Sequence, residues 1–132
     1  MTPNQTAISR SNNMTVVRTM KNHLADRMAI STTEGYVIIQ YADILYCESM
    51  SNYCRIHLNT SKSHIVSKPL KHLQSVLPSA EFIRTHQSYL VRFDHIVAAG
   101  QDVKLSNGSN IPLSRSQRSA FDALLKIRMP IV

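Results

Sequence analysis

The 132-residue chain has no tryptophan, three glycines, two cysteines and eight acidic residues, and each scarcity removes a class of function. Gly35, Gly100 and Gly108 do not cluster, so neither a phosphate-cradling loop nor a dinucleotide fingerprint can be built. Cys47 and Cys54 are seven residues apart, without C-x-x-C, H-x-x-x-H or E-x-x-H spacing. They are expected to be reduced, packed thiols, and no metal or cofactor is expected. There is no G-x-S-x-G nucleophile elbow. Asp43 and Glu48, the nearest strand-linked acids, are five apart. That spacing puts them on opposite faces of a regular strand, whereas paired-carboxylate catalysis needs both in one cleft. The chain is therefore not expected to be an enzyme. No apolar run approaches the roughly 18–20 residues that span a bilayer. The polar start MTPNQTAISRSNNM carries no secretory hydrophobic stretch. These features point to a cytoplasmic protein without a membrane partner.

What the chain does have is positive charge. Fifteen Lys and Arg against eight Asp and Glu give +7, and the cations are interspersed as on a folded surface. Such an excess favours an anionic partner through long-range attraction. Apolar residues make up 43% of the chain, enough for one packed core.

Residues 1–24 are rich in Asn, Thr and Ser, contain Arg10, Arg18 and Lys21 but no acid before that point, and read as a linker or flexible arm. Residues 25–132 read as one domain. Met28–Thr32, Tyr36–Tyr41, Ile44–Cys47, Tyr53–Leu58 and His64–Ser67 are predicted strands, with Glu34-Gly35 and Ser49–Asn52 as breaks. In Tyr53–Leu58, Cys54, Ile56 and Leu58 face one way and Tyr53, Arg55 and His57 the other. Pro69 opens a helix with an apolar stripe of Leu70, Leu73 and Leu77, and Pro78 closes it. Phe82-Ile83, Ser88–Val91, Ile96–Ala99, Asp102–Leu105 and Ser109–Leu113 are further strand segments. Asn107-Gly108 predicts a two-residue hairpin turn, because both residues tolerate positive φ. Pro112 predicts an edge strand. Ser114 and Gln117 fit a capping box before a last helix with Phe121, Leu124 and Leu125 inside. The sum is a mainly β domain of many short, hairpin-connected strands and two short helices.

Three polar, basic clusters then stand out. The first is Asn52, Tyr53 and Arg55; the second is Arg84, His86, Gln87 and Ser88; the third is Ser114, Arg115 and Arg118. Arg grips guanine O6 and N7 bidentately, and Gln or Asn pairs with adenine N6 and N7. Lys71, Arg118, Ser side chains and a helix N-terminus can hold phosphates. Each residue also has a structural reading. Tyr53 caps a hydrophobic face as readily as it reads a base. His86 is as well explained by a hydrogen-bonded, partly buried ring. Arg84 is expected to pair with nearby Glu81. Arg115 is least easily explained by structure, because a cation in the first turn opposes the helix dipole.

Four segments in order carry a resemblance: Ile44, Tyr46, Glu48, Asn52 and Tyr53; Leu70 and Leu73; Phe82, Arg84, His86, Ser88, Tyr89 and Val91; then Leu105, Asn107, Gly108, Ile111, Pro112, Ser114 and Arg115. Over roughly residues 28–128 the chain resembles the LytTR family of bacterial transcription-factor domains. The resemblance implies an elongated fold of about ten short strands in small antiparallel sheets with two or three short helices. It implies sequence-specific binding of double-stranded DNA for transcription regulation, through loops inserted in successive major grooves of a direct-repeat operator. Carried over residue by residue, Asn52, Tyr53, His86, Gln87 and Arg115 would contact bases, and Arg55, Lys71, Ser88 and Arg118 phosphates. Partners would be double-stranded DNA, a second copy of the chain assembled on the repeat, and a regulatory protein. The alternative is a stand-alone protein-interaction inhibitor of another DNA-binding regulator. Arg92 departs from the family, standing where Asn is common.

Overall fold

A computed structural model describes residues 26–132; the expected arm at 1–24 lies outside them. Ten short strands and two α-helices follow in order. The β-branched and aromatic runs form β1 (Arg27–Thr32), β2 (Gly35–Gln40), β3 (Ile44–Met50), β4 (Tyr53–Leu58) and β5 (Ser63–Val66). Helix α1 (Leu70–Val76) precedes β6 (Phe82–His86), β7 (Tyr89–Arg92), β8 (Ile96–Ala99), β9 (Asp102–Leu105) and β10 (Asn110–Pro112). Helix α2 (Arg115–Arg128) ends the domain.

All strand pairings are antiparallel and form three small sheets. The largest has the order β5-β4-β3-β7-β6; the others are β1-β2 and β10-β9-β8. Residues alternate across the five-stranded sheet and feed a separate core on each face. On one face Cys47, Cys54, Ile56, Phe82 and Leu90 pack with the β1–β2 hairpin, with Leu70 and Leu73 of α1 and with Leu77 at its C-cap. On the other, Leu45, Ile83 and Val91 pack with Val103, Leu105, Ile111 and Phe121. A bulge between Ile44 and Tyr46 lets Leu45 and Tyr46 turn to this same side. Leu124 and Leu125 sit against it, completing the predicted stripe of α2.

Several local expectations are corrected. Strand β3 runs three residues beyond Cys47, because Ser49 and Met50 pair with Cys54 and Tyr53. Tyr41 leaves the strand for a 3₁₀ turn (Tyr41–Asp43), where its ring is buried edge-on to Phe82, 6.5 Å between centroids. The Asn107-Gly108 hairpin has a three-residue loop. Gly108 N–H donates to Leu105 C=O and Leu105 N–H to Ser109 C=O, so only Gly108, at φ 92°, uses positive φ. Asn107 accepts Ser109 N–H through Oδ1 instead, at 3.0 Å. Ser114 is the N-cap residue of α2, but its hydroxyl lies 3.3 Å from that of Ser116 and caps nothing, so the capping box does not form. Glu81 pairs with Arg92 at 2.7 Å, not with Arg84. Arg92 also reaches Asp94 at 3.6 Å and lies over the Phe82 ring. Its stem packs inside while its charge is compensated at the sheet margin, the job a neutral Asn could not do.

Cys47 and Cys54 are free thiols buried in the sheet core. Burial pushes both thiols above their ordinary 9.0. The phenols of Tyr41, Tyr46 and Tyr89 are likewise raised above 10.0, first by desolvation. The folded chain therefore holds these protons to higher pH than the unfolded chain. Their contribution is constant below the unfolded values and is lost as pH rises through them. The midpoint of urea unfolding is expected to drop between about pH 9 and 11. A midpoint unchanged or rising across that window would contradict the burial of these groups.

Candidate nucleic-acid interface

The five-stranded sheet has one end where the predicted clusters meet. The β3–β4 turn, Ser51-Asn52, is a two-residue connection with φ 70° at Ser51, as a type II′ hairpin requires. It places Asn52 and Tyr53 in solvent, and Tyr53 is 40% exposed. The β6–β7 turn, Gln87-Ser88, comes from more than thirty residues later. It lies beside the first because Glu48 pairs with Tyr89, and Ser49 N–H donates to Ser88 C=O at 2.8 Å. The N-terminus of α2 is docked alongside by Ser114 N–H donating to Thr85 C=O, also 2.8 Å. Asn52, Tyr53, His86, Gln87, Ser88 and Arg115 thus share one edge.

The β6–β7 turn is internally fastened. His86 is half-buried, its Nδ1 accepts Ser88 N–H at 3.0 Å, and its ring lies 5.8 Å from that of Tyr89. The structural expectation for His86 is met at Nδ1, while Nε2 has no partner among the described residues. Gln87 is exposed, and its carbonyl accepts a hydrogen bond from Arg84. Behind the edge, Glu48 is held within the sheet face: Oε1 lies 2.9 Å from His57 Nε2, and Tyr89 hydroxyl donates to Oε2 at 3.4 Å. Tyr46 stacks on His57 at 4.2 Å. A carboxylate tied down in this way is not projected toward an incoming anion.

Arg115 is the first residue of α2, exposed, and makes no hydrogen bond or ion pair among the described residues. The first turn of α2 holds no acid and no side-chain cap, and Gln117 N–H turns back to Ser114 C=O at 3.1 Å. The remaining predicted cations are placed differently. Arg55 points along the sheet to Ser63 Oγ at 3.1 Å. Lys71 is exposed in the first turn of α1, one turn before Gln74, whose amide oxygen accepts Arg84 Nη1 at 2.7 Å. Arg118 braces the β8–β9 turn, donating to the carbonyls of Gly100 at 2.7 Å and Gln101 at 3.3 Å. That turn, Asp102, Leu113, Arg115 and Arg118 frame a shallow depression with two cations and one acid. A second, polar depression between the β6–β7 turn and α2 is lined by Gln74, Ser116 and Gln117 beside Arg84, His86 and Gln87. Gln74, Ser116 and Gln117 line this depression without having been singled out by the sequence. Nothing local distinguishes a site glutamine on a helix from a solvated one.

No helix among the described residues is long and apolar enough to cross a membrane. A family model described as the LytTr DNA-binding domain matches residues 34–126. The sensory transduction protein LytT of Bacillus subtilis (strain 168) is 28% identical over 123 residues, covering 87% of this chain and 51% of that protein. LytT of Bacillus anthracis is 23% identical over 107 residues, covering 76% and 43%. The chain spans about half the length of the curated relatives it matches. Among solved structures, the LytTr DNA-binding domain of a methyl-accepting/DNA response regulator from Bacillus cereus superposes with a TM-score of 0.65 at 24% identity, covering 76% of this chain and 97% of that one. The ten-strand fold is shared with that structure, and the family match covers most of the domain: the chain belongs to the LytTR family of DNA-binding domains.

Proposed function

We propose that the edge formed by the β3–β4 turn, the β6–β7 turn and the start of α2 reads base sequence in successive major grooves of a direct-repeat site. Membership in the family implies DNA binding in transcription regulation. What carries the finer reading is the gathering of Asn52, Gln87 and Arg115 at one sheet end by the Ser49–Ser88 and Ser114–Thr85 bonds. Amides and an unpaired guanidinium are the groups that discriminate base edges. Tyr53 and the free Nε2 of His86 supplement them. Lys71 and Ser88 are proposed phosphate contacts, with Arg55 and Arg118 contributing charge while they brace Ser63 and the β8–β9 turn. Two copies of the chain would occupy the repeat, and their separation would be set by the helical turn of DNA.

Selection from a random duplex library tests this. Enrichment of a motif repeated at about 10–10.5 base pairs, or a multiple, is the expected result. Protein that enriches no motif and instead co-purifies with another regulator would overturn it in favour of a protein-interaction inhibitor.

A further inference from the structure

We propose that Arg84 is the positioning residue of the β6–β7 turn, its guanidinium locking the carbonyls of His86 and Gln87 to helix α1 and so setting the shape in which that turn meets DNA. The inference rests on the reading that this turn faces DNA. Nε donates to His86 C=O at 3.0 Å, Nη2 to Gln87 C=O at 2.6 Å, and Nη1 to Gln74 Oε1 at 2.7 Å. Every guanidinium nitrogen thus has a protein acceptor. A planar fork with acceptors in three directions has its plane and depth fixed.

The main chain alone does not fix this turn. The β6–β7 register shifts between Arg84 and His86, so the ladder is interrupted where the apex begins. Arg84 supplies the fastening that the ladder lacks. It also joins two segments ten residues apart, because Gln74 sits on α1 one turn after Lys71. The exposed Gln87 side chain and the Lys71 face of α1 are therefore held as one unit. Arg84 makes no ion pair among the described residues, in contrast to Arg92 and Arg128, which reach carboxylates. Its role does not reduce to charge neutralisation.

The test compares Arg84→Lys and Gln74→Ala with the wild-type protein. Affinity for the selected duplex and for a scrambled duplex is measured over a salt series, and amide exchange at Gln87 and Ser88 is measured in the free protein. Arg84→Lys keeps the charge and loses the fork. It is expected to lower the selected-to-scrambled affinity ratio about tenfold, with the salt slope unchanged. Exchange at Ser88 is expected to speed up. Gln74→Ala keeps Arg84 and removes one acceptor, so it should move both readouts the same way by less; it also serves if the lysine variant fails to fold. Wild-type ratio and exchange in both variants would overturn the proposal. So would an equal loss on both duplexes, which marks a phosphate contact. If the wild-type protein itself shows no preference, the DNA reading of the turn has failed separately, and unchanged Ser88 exchange would still refute the fastening.

Discussion

Arg115→Ala is expected to lower affinity for the preferred duplex by about 1–3 kcal/mol, roughly 5- to 150-fold, and to flatten the preference over other sequences. Arg115 is not needed to hold the fold together. It contributes no hydrogen bond and no ion pair to the fold among the described residues, and it stands at the helix end where a cation is electrostatically unfavourable. Thermal stability should therefore change within about 0.5 kcal/mol, as for an ordinary surface site. A large binding loss with unchanged stability separates recognition from folding. Lys71→Ala is the comparison: a phosphate contact weakens all sequences alike and reduces the salt slope by about one. Gel-shift titrations on preferred and scrambled duplexes, with thermal melts of each variant, decide the matter. If Arg115→Ala left affinity and preference intact, that residue would not read bases.

Phe121→Ala is expected to destabilise the domain by about 3–5 kcal/mol, a large share of the 5–15 kcal/mol typical of a domain. Phe121 is 1% exposed, and its ring lies 6.1 Å from that of Phe93. It is the side chain by which α2 enters the core shared by Val103, Leu105 and Ile111 of the small sheet and Ile83 and Val91 of the large one. Leu124 and Leu125 are only half-buried and cannot take over. The helix is otherwise tied by Arg118, which bonds the carbonyls of Gly100 and Gln101, and by Arg128, which bonds Asp94 and the carbonyl of Ala80 and lies over Phe93. Loosening α2 releases the Ser114–Thr85 bond that places Arg115 beside the β6–β7 turn. Sequence preference should fall even at temperatures where the variant is still folded. Urea unfolding measures the first effect; a loss below about 1 kcal/mol would mean α2 is not seated in this core.

The β-rich class, the edge position of Pro112 and the core-facing stripes of both helices were legible in the sequence because each depends on a local period or one residue's backbone chemistry. Cys54, Ile56 and Leu58 face the core for that reason. Three local details were not legible. The Asn-Gly dipeptide is compatible with two loop lengths, and the chain adopts the longer. The Ser114–Gln117 spacing permits a capping box, yet the Ser114 hydroxyl turns to Ser116. Glu81 is close to Arg84 in sequence, but Arg92 lies across the β6–β7 ladder from Phe82 and takes the carboxylate.

The composition of the proposed binding edge was legible as three separate clusters; their union was not. It depends on β3 pairing with β7, a contact between Glu48 and Tyr89, 41 residues apart. No periodicity signals such a pairing. Family resemblance supplied the expectation that these loops act together, and the geometry supplies the bonds that bring them there. The bracing of Arg118 on the β8–β9 turn was equally invisible, because backbone carbonyls leave no mark in a sequence.

The most direct measurement is a titration of isotope-labelled protein with the selected duplex, followed by backbone amide chemical shifts. Changes concentrated at residues 51–53, 86–88 and 114–118, with the exposed Tyr36 and Ile38 face of the β1–β2 hairpin unaffected, are the expected result. Changes centred on that hairpin, with the two turns and the start of α2 silent, would contradict the assignment of the binding edge.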